Sequence, residues 1–278
     1  MSNNLVYIVM DSCRYDSYVS AKTPNMDRLG KAEQRFSFAS WTSPSHQTLL
    51  MGQVPHQSPK RIFASEVYKN EFAKWVGRLD VRNLSFKSFV PHLSLPKVLQ
   101  DQGYKTVGRV SMPVLNPLAG FNRFFDDYSL MASHNDFAGM VSKISFDERT
   151  PTFYFLNLGE THYPYMLKDS ELPRISGVHG IFKGMDDMLQ RGGDALNESE
   201  AFFTRGVLKE LHAQQVRCVE HIDGLIGELF AKAPSNTHFI ITADHGELFG
   251  EDDYFGHGPI MHEKCFEVPF LEGMRPDP

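Results

Sequence analysis

Residues 237–247, Thr-His-Phe-Ile-Ile-Thr-Ala-Asp-His-Gly-Glu, are the stretch that decides how this chain folds. The run 239–242 is apolar and β-branched with no polar alternation, which predicts a strand buried on both faces of a sheet. Asp244 and His245 follow that strand directly. Ligands of parallel α/β sheets bind just beyond the carboxyl ends of strands, and a carboxylate next to an imidazole suits a divalent metal ion. The stretch therefore predicts a metal site at this edge.

The N-terminus repeats the same design. The apolar run 5–10, Leu-Val-Tyr-Ile-Val-Met, leads straight into Asp11. Two buried strands that each end on an aspartate are expected to bring both carboxylates to one edge of the sheet. Asp11 and Asp244 are thus the first candidates for ligands of a shared cation, although Asp11 could also serve only as a turn former.

Composition excludes several classes of protein. The 278 residues are 41% hydrophobic and 22% charged, as in an ordinary soluble domain, and they fit a single domain over 1–278. A net charge of -6 without a basic cluster argues against nucleic-acid binding. Three scattered cysteines, Cys13, Cys218 and Cys265, form neither a disulfide framework nor a zinc ribbon. No apolar run reaches the roughly 18 residues of a membrane span, and a first strand at Leu5 leaves no room for a signal peptide. We therefore expect a cytoplasmic protein without membrane partners.

The chain alternates strand and helix signals along its length, which predicts an α/β fold with a mostly parallel central sheet and helices on both faces. Segments 53–92 and 169–200 carry weak periodicity and are interpreted as insertions, the first near the substrate entrance and the second a loop or lid. Apart from the two opening strands, strands are predicted at 36–41, 106–110 and 152–158, and helices at 95–103, 135–144 and 203–231.

A further helix is predicted from Thr42, where Pro44 suits the first turn and Gly52 the exit. Thr42 then lies at the helix N-terminus, where backbone amides and the macrodipole favour an anion. It could equally be only a capping residue, a role that Ser43 could also fill.

Several segments stand in a fixed order along the chain. Taken together they resemble the alkaline phosphatase superfamily, in its sulfatase and phosphodiesterase branch. The resemblance implies the fold of that family, and, because relatives usually continue past the last segment, a domain that lacks most of their C-terminal subdomain. The segments are DSCRYD (11–16), TPNMDRL (23–29), SPSHQTLLMG (43–52), LPKVLQDQGY (95–104), THYP (161–164), DHGE (244–247), GHGP (256–259) and EVPF (267–270).

Two departures from the sulfatase pattern bear on the chemistry. Sulfatases carry a cysteine, converted to formylglycine, in a Cys-x-Pro-x-Arg motif, whereas Thr42 and His46 stand at the cysteine and arginine positions here. Sulfatases also present two adjacent aspartates after the first strand, but Ser12 follows Asp11. Thr42-x-Pro-x-His46 is similar instead to the nucleophile segment of the nucleotide pyrophosphatase/phosphodiesterase branch, where threonine attacks phosphorus. The single carboxylate resembles phosphodiesterases and phosphoethanolamine or phosphoglycerol transferases.

The resemblance implies phosphoryl transfer through a covalent intermediate on Thr42. Asp11, Asp244 and His245 would hold a divalent ion, Zn²⁺ or Mn²⁺, against the hydroxyl of Thr42, which is a poor nucleophile without such help. We expect one such site.

His162 and His257 resemble the family's residues on the leaving-group side. They would either bind a second metal ion or act as general acid and hydrogen-bond donors to the phosphate. A second metal site would need another carboxylate, for which Glu160 is a weak candidate. His46 is interpreted as a structural neighbour, and Arg14 would either pair with Asp16 or reach the substrate.

Three functions compete at this level. The leading one is a metal-dependent hydrolase of phosphodiesters, phosphonate esters or phosphomonoesters, with a small-molecule substrate and a chain that could form a homo-oligomer. The second is a soluble phosphotransferase with the same intermediate. The third is a pseudoenzyme or metal-binding interaction module.

Overall fold

The computed structural model describes residues 2–57, 63–167 and 203–277. In these residues the helices and strands alternate along most of the chain. The helices are Tyr15–Ser20 (α1), Thr42–Leu50 (α2), Ala64–Leu79 (α3), Phe86–Phe89 (α4), Leu95–Asp101 (α5), Phe137–Lys143 (α6) and Arg205–Lys232 (α7). The strands are Asn4–Met10 (β1), Glu33–Phe36 (β2), Lys105–Val110 (β3), Asp127–Leu130 (β4), Thr152–Leu158 (β5), Thr237–Thr242 (β6), Leu248–Phe249 (β7), Phe255–Gly256 (β8) and Glu267–Met274 (β9).

Seven strands form one sheet in the order β2-β9-β6-β1-β5-β3-β4, and β7 and β8 form a separate hairpin. The four pairings among β6, β1, β5, β3 and β4 are parallel, and β9 runs antiparallel to both β6 and β2. Residues of β1 pair in register with β5 on one side and β6 on the other, so β1 lies at the centre. The predicted fold class is confirmed.

Helices cover both faces because side chains alternate along each central strand. In β1, Val6 and Ile8 face a core closed by α1, α6 and α7, whereas Leu5 and Tyr7 face a second core closed by α2 to α5. All of β1 and β6 is buried, as expected for strands covered on both faces. Among the described residues, no helix combines the length and apolarity needed to cross a bilayer.

One predicted strand was misplaced, and two strands were not predicted. The strand expected at 36–41 is instead β2 at Glu33–Phe36, because beyond it Ser37 and Ser40 leave the sheet and donate to the carbonyls of Asp244 and Gly258. Neither β4 nor β9 was predicted. Both lack a long apolar run: β4 is only partly buried, and β9 carries Pro269.

Of the two segments interpreted as insertions, only 53–92 lies largely among the described residues. Segment 53–92 contains α3 and α4, whose Phe72, Trp75 and Phe89 belong to the second core. It therefore helps to cover the sheet. Segment 169–200 lies outside the described residues.

Candidate metal and nucleophile site

The carboxyl ends of the central strands bring distant residues together. Asp11 follows β1, Asp244 follows β6 by two residues, and Asn157 lies near the end of β5. Ser12 adopts a left-handed backbone conformation (φ 61°), which directs its amide at Asp244 Oδ1, 3.1 Å away. Gly246 lets the next loop approach closely, since a Cβ there would lie 2.0 Å from the Lys264 carbonyl oxygen.

Four predicted site residues meet around one point. His245 Nε2 lies 3.3 Å from Thr42 Oγ1, 3.3 Å from Asp244 Oδ2 and 3.9 Å from Asp11 Oδ1. Ligands about 2.0–2.1 Å from a tetrahedrally coordinated zinc ion stand roughly 3.3 Å from one another. All four side chains are buried. The separations of His245 Nε2 from Thr42 and Asp244 match those of atoms that share a zinc ion, and its separation from Asp11 is longer.

The lone pairs of His245 and Asp244 are a second observation that fits a metal ion. His245 Nδ1 donates to the Gly246 carbonyl at 2.8 Å, so Nε2 carries a lone pair that faces the oxygen of Asp244. Asp244 Oδ2 is fully buried and accepts no hydrogen bond from any described residue. Two lone-pair atoms facing each other away from water are unfavourable unless a positive charge lies between them. The arrangement therefore suits a divalent cation.

The two carboxylates influence each other. Burial and the charge of Asp244 raise the pKa of Asp11 above its ordinary value. Although burial opposes ionisation of Asp244, the neighbouring His245 and His46 rings lower the pKa of Asp244 below its ordinary value. Burial lowers the pKa of His245, which keeps its ring neutral and able to act as a ligand. A bound cation would favour the ionised form of both acids.

His46 also lies among these groups. One atom each of Asp11, His46 and Asp244 lies within 4.8 Å of the other two, a spacing that could accommodate a metal ion. His46 Nδ1 is 2.9 Å from the Thr42 carbonyl oxygen and 3.4 Å from Asp244 Oδ2, and its Nε2 is 3.2 Å from Asn157 Nδ2. Burial opposes a charge on this ring, yet the nearby carboxylate of Asp244 raises the pKa of His46 above its ordinary value.

The helix that carries Thr42 is tied to the loop after β6. Thr42 is the first residue of α2, and Ser45 one turn later donates to the Asp244 carbonyl oxygen at 2.5 Å. Ser37 donates to the same carbonyl. These bonds fix the position of the Thr42 hydroxyl relative to Asp244.

A second group of side chains borders the first. The ring of His257 lies 4.3 Å from that of His245 and 5.0 Å from that of His162, centroid to centroid. His257 Nδ1 is 3.1 Å from Glu247 Oε1 and 3.4 Å from Ser12 Oγ. His162 Nδ1 donates to the Tyr163 carbonyl at 2.7 Å. The structure thus places both histidines of the expected leaving-group side next to the candidate metal ligands.

The carboxylate of this second group is Glu247. It is buried, it accepts a hydrogen bond from Tyr165 Oη, and burial raises its pKa. Glu160 instead accepts from the Phe137 amide at 2.8 Å, and burial raises the pKa of Glu160 to about 7. Glu160 Oε1 is thus engaged at the first turn of α6, and a role for Glu160 in a second metal site stays a prediction.

Three residues of the site were missed or undervalued in the sequence. Asn157 interrupts an otherwise apolar buried strand, which is a readable signal of a polar role. Glu247 belongs to the DHGE segment but was given no role there, and His46 was interpreted as a neighbour only. Arg14, left undecided, pairs with Asp16 and Glu251 at 2.5 and 2.6 Å.

Comparisons with known proteins identify the family to which the chain belongs. The sequence model of the family described as sulfatase matches residues 3–272. An arylsulfatase from Clostridium perfringens (strain 13 / Type A) is 28% identical over 138 residues, which cover 45% of this chain and 28% of the relative. The chain thus spans little more than a quarter of that enzyme's length.

Two solved structures share the fold over 99% of this chain. They are the C-terminal periplasmic domain of EcEptC from Escherichia coli in complex with Zn (TM-score 0.58, 14% identity, 73% of that chain covered) and BT1596, a 2-O GAG sulfatase (TM-score 0.57, 14% identity, 64% covered). At these identities the likeness establishes the fold alone.

Proposed function

We propose, since this chain belongs to the sulfatase family, that it is a metal-dependent hydrolase of phosphate or phosphonate esters that acts through a covalent phosphothreonine at Thr42. The observation that carries the proposal is the position of the Thr42 hydroxyl. Its oxygen lies 3.3 Å from the Nε2 atom of His245, in a buried cluster with the carboxylates of Asp11 and Asp244.

The nucleophile favours phosphorus over sulfur. Sulfatases resembling this chain use a formylglycine made from cysteine, and residue 42 is threonine. The three cysteines, Cys13, Cys218 and Cys265, are buried and lie outside α2. A threonine hydroxyl cannot form the aldehyde hydrate of formylglycine, but it can displace an alcohol from phosphorus.

Asp11, Asp244, His245 and Thr42 would hold the metal ion. When bound, the ion would lower the pKa of the Thr42 hydroxyl and neutralise charge on the phosphoryl oxygens. The mixture of oxygen and nitrogen donors suits Zn²⁺ or Mn²⁺ better than Mg²⁺. His245 is held for this role by its Nδ1 bond to the Gly246 carbonyl.

The reaction has two displacement steps. In the first, Thr42 Oγ forms a bond to phosphorus while the bond from phosphorus to the alcohol oxygen breaks. His257 or His162 gives a proton to the departing oxygen, a role supported by the carboxylate of Glu247 beside His257 Nδ1. In the second, water attacks phosphorus, loses a proton to the same histidine and releases phosphate and the Thr42 alkoxide, the deprotonated form in which Thr42 attacked.

The decisive experiment combines a substrate panel with trapping of the intermediate. Chromogenic phosphate diesters, phosphate monoesters, phosphonates and sulfates are assayed with Zn²⁺ or Mn²⁺ added. We expect phosphorus esters to be hydrolysed, Thr42→Ala to lower kcat/KM at least about a thousandfold, and mass spectrometry of acid-quenched protein to find a phosphate on Thr42. Thr42→Ser, which keeps a hydroxyl, is the matched control and should retain part of the activity.

Sulfate esters as the best substrates, or full activity of Thr42→Ala, would refute the proposal. An added alcohol tests the alternative of a phosphotransferase: a phosphorylated alcohol that replaces inorganic phosphate as the main product would favour it. Our prediction of a cytoplasmic location gains no support from the comparisons, since the EcEptC domain is periplasmic.

A further inference from the structure

His46 and Asn157 form a buried polar pair beneath the nucleophile. Both are completely buried, at 0% exposure. Asn157 Nδ2 lies 2.9 Å from Asp11 Oδ2 and 3.2 Å from His46 Nε2. His46 Nδ1 lies 2.9 Å from the carbonyl oxygen of Thr42. The pair therefore connects a candidate metal ligand to the backbone of the candidate nucleophile.

The orientation of the Asn157 amide is set by the backbone after β3. The amides of Ser111 and Met112 both point at Asn157 Oδ1, at 3.2 and 3.1 Å. Backbone amides only donate, so the atom facing them must be the carbonyl oxygen. The NH₂ group is thereby turned the other way, with one hydrogen for Asp11 and one for His46.

This orientation fixes the tautomer of His46. Because Asn157 can offer Nε2 only an N–H, that nitrogen must be an acceptor, and the ring proton resides on Nδ1. Nδ1 then donates to the Thr42 carbonyl oxygen, which also can only accept.

With both nitrogens of His46 engaged in this way, neither has a lone pair directed at the cation. We propose that His46 and Asn157 are positioning residues that align the Asp11 carboxylate with the first turn of α2, and that His46 is not a metal ligand. The nitrogen ligand is then His245, whose Nε2 carries a lone pair that faces Thr42 Oγ1 and Asp244 Oδ2, both 3.3 Å away. This inference rests on the metal site of the proposed function and is independent of whether phosphorus or sulfur esters are the substrates.

The arrangement has a chemical purpose. Asn157 occupies Asp11 Oδ2, so Oδ1 is the oxygen turned towards His245 Nε2, 3.9 Å away. His46 simultaneously anchors the residue whose hydroxyl lies 3.3 Å from the same nitrogen. Groups that orient metal ligands in this manner typically contribute 10–100-fold to metal affinity.

The test compares three variants of the intact protein with wild type. His46→Leu removes both hydrogen bonds, and His46→Gln keeps a side chain that can accept from Asn157 and donate to the Thr42 carbonyl. Tyr7→Phe alters a different buried side chain, in β1, that faces the second core. Affinity for Zn²⁺ is measured by calorimetry, and circular dichroism and the melting temperature of the metal-free proteins verify folding.

We expect His46→Leu to weaken Zn²⁺ binding by about 10–100-fold and to lower kcat with little change in KM. His46→Gln should recover a large part of both losses, and Tyr7→Phe should show neither. At saturating Co²⁺ the absorption bands of His46→Leu should match those of wild type, because the ligand set is unchanged, whereas His245→Ala should shift them. Shifted bands in His46→Leu, or wild-type affinity and kcat in that variant, would overturn the proposal.

A measurement on the wild-type protein guards against variants that fail to fold. Long-range proton–nitrogen NMR spectra of the imidazole rings distinguish an N–H, a lone-pair nitrogen and a metal-bound nitrogen. The His46 ring should show a proton on Nδ1 with and without Zn²⁺, while His245 Nε2 changes on addition of the ion. A metal-induced change at His46 alone would make it the ligand, and wild-type protein without affinity for any divalent ion would refute the proposed function as well.

Discussion

The proposed site has two halves, one for the metal ion and one for the leaving group, and they are built in different ways. Asp11 and Asp244 of the metal half follow central parallel strands and are completely buried. His257 of the leaving-group half follows the small β7–β8 hairpin outside the main sheet, and its side chain is 11% exposed. The metal half is thus positioned by strand pairing, and the other half by contacts between loops, such as Ser12 with His257.

This contrast indicates that the metal half controls retention of the ion and that the leaving-group half controls which alcohols are accepted. Groups fixed by the sheet cost little to keep in place, so they suit a bound ion that must be held for many turnovers. Groups on loops can adapt to alcohols of different size. Three variants, ordered from the largest expected effect on activity to the smallest, test this division.

Asp244→Asn should have the largest effect. It replaces the carboxylate whose Oδ2 accepts no hydrogen bond from the described residues, and it leaves the shape of the side chain unchanged. We expect loss of bound metal and a fall in kcat/KM of about a thousandfold or more, since metal catalysis contributes several kcal/mol. Metal content and ester hydrolysis are measured on the same sample. A variant that keeps the ion and most of its activity would show that the metal half is assigned wrongly.

His257→Ala should have an intermediate effect that depends on the leaving group. Loss of a general acid should slow an alkyl ester about a hundredfold, while a 4-nitrophenyl ester, whose leaving group needs no proton, should change only a few-fold. Metal content should stay at the wild-type level. His162→Ala serves as the companion variant that identifies which histidine donates. Equal losses on both esters, or loss of the metal, would place His257 in the metal half instead.

Glu272→Gln, on β9 away from both halves, should leave activity unchanged and lower stability. Although burial opposes ionisation of Glu272, His238 at 3.5 Å and Arg78 at 2.6 Å lower its pKa below the ordinary value of 4.5. A lowered folded-state pKa means that the carboxylate stabilises the fold above pH 4.5 and loses this contribution as the pH falls below it.

At pH 7 we expect the variant to lose about 2 kcal/mol of unfolding free energy, the size of a hydrogen bond to a charged group. The difference from wild type should shrink as the pH falls from 5 to 3. Urea unfolding followed by circular dichroism at several pH values measures it. A difference that is constant over this range would mean that the charge of Glu272 is not responsible.

The same contrast explains what the sequence could and could not predict. The position of Asp11 and Asp244 at one edge of the sheet could be predicted, because an apolar run that ends on an acid indicates the end of a strand. The carboxyl ends of parallel strands meet at the same edge. The hydrogen-bond partners of His257 could not be predicted. Ser12 reaches it through a left-handed turn and Glu247 through a hairpin, and the hydrophobic pattern of the sequence indicates neither.

The orientation of His46 shows a further limit. Its position in the chain indicated only that it stands near Thr42, one helical turn away. Its ring protonation depends on Asn157, 111 residues later, whose own orientation depends on two amides after β3. Such a chain of hydrogen bonds exists only once the sheet has formed, and no local pattern encodes it.

The candidate ligands Asp11 and Asp244 come from opposite ends of the chain, with most of the polypeptide between them. An ion held by both would fasten the two termini of the fold together, and at a free concentration one hundred times its dissociation constant it would add about 2.7 kcal/mol to the stability. Digestion by proteases should then slow when metal is plentiful and speed up under chelation. The supply of the ion would then affect the rate at which the protein is degraded as well as its catalytic rate.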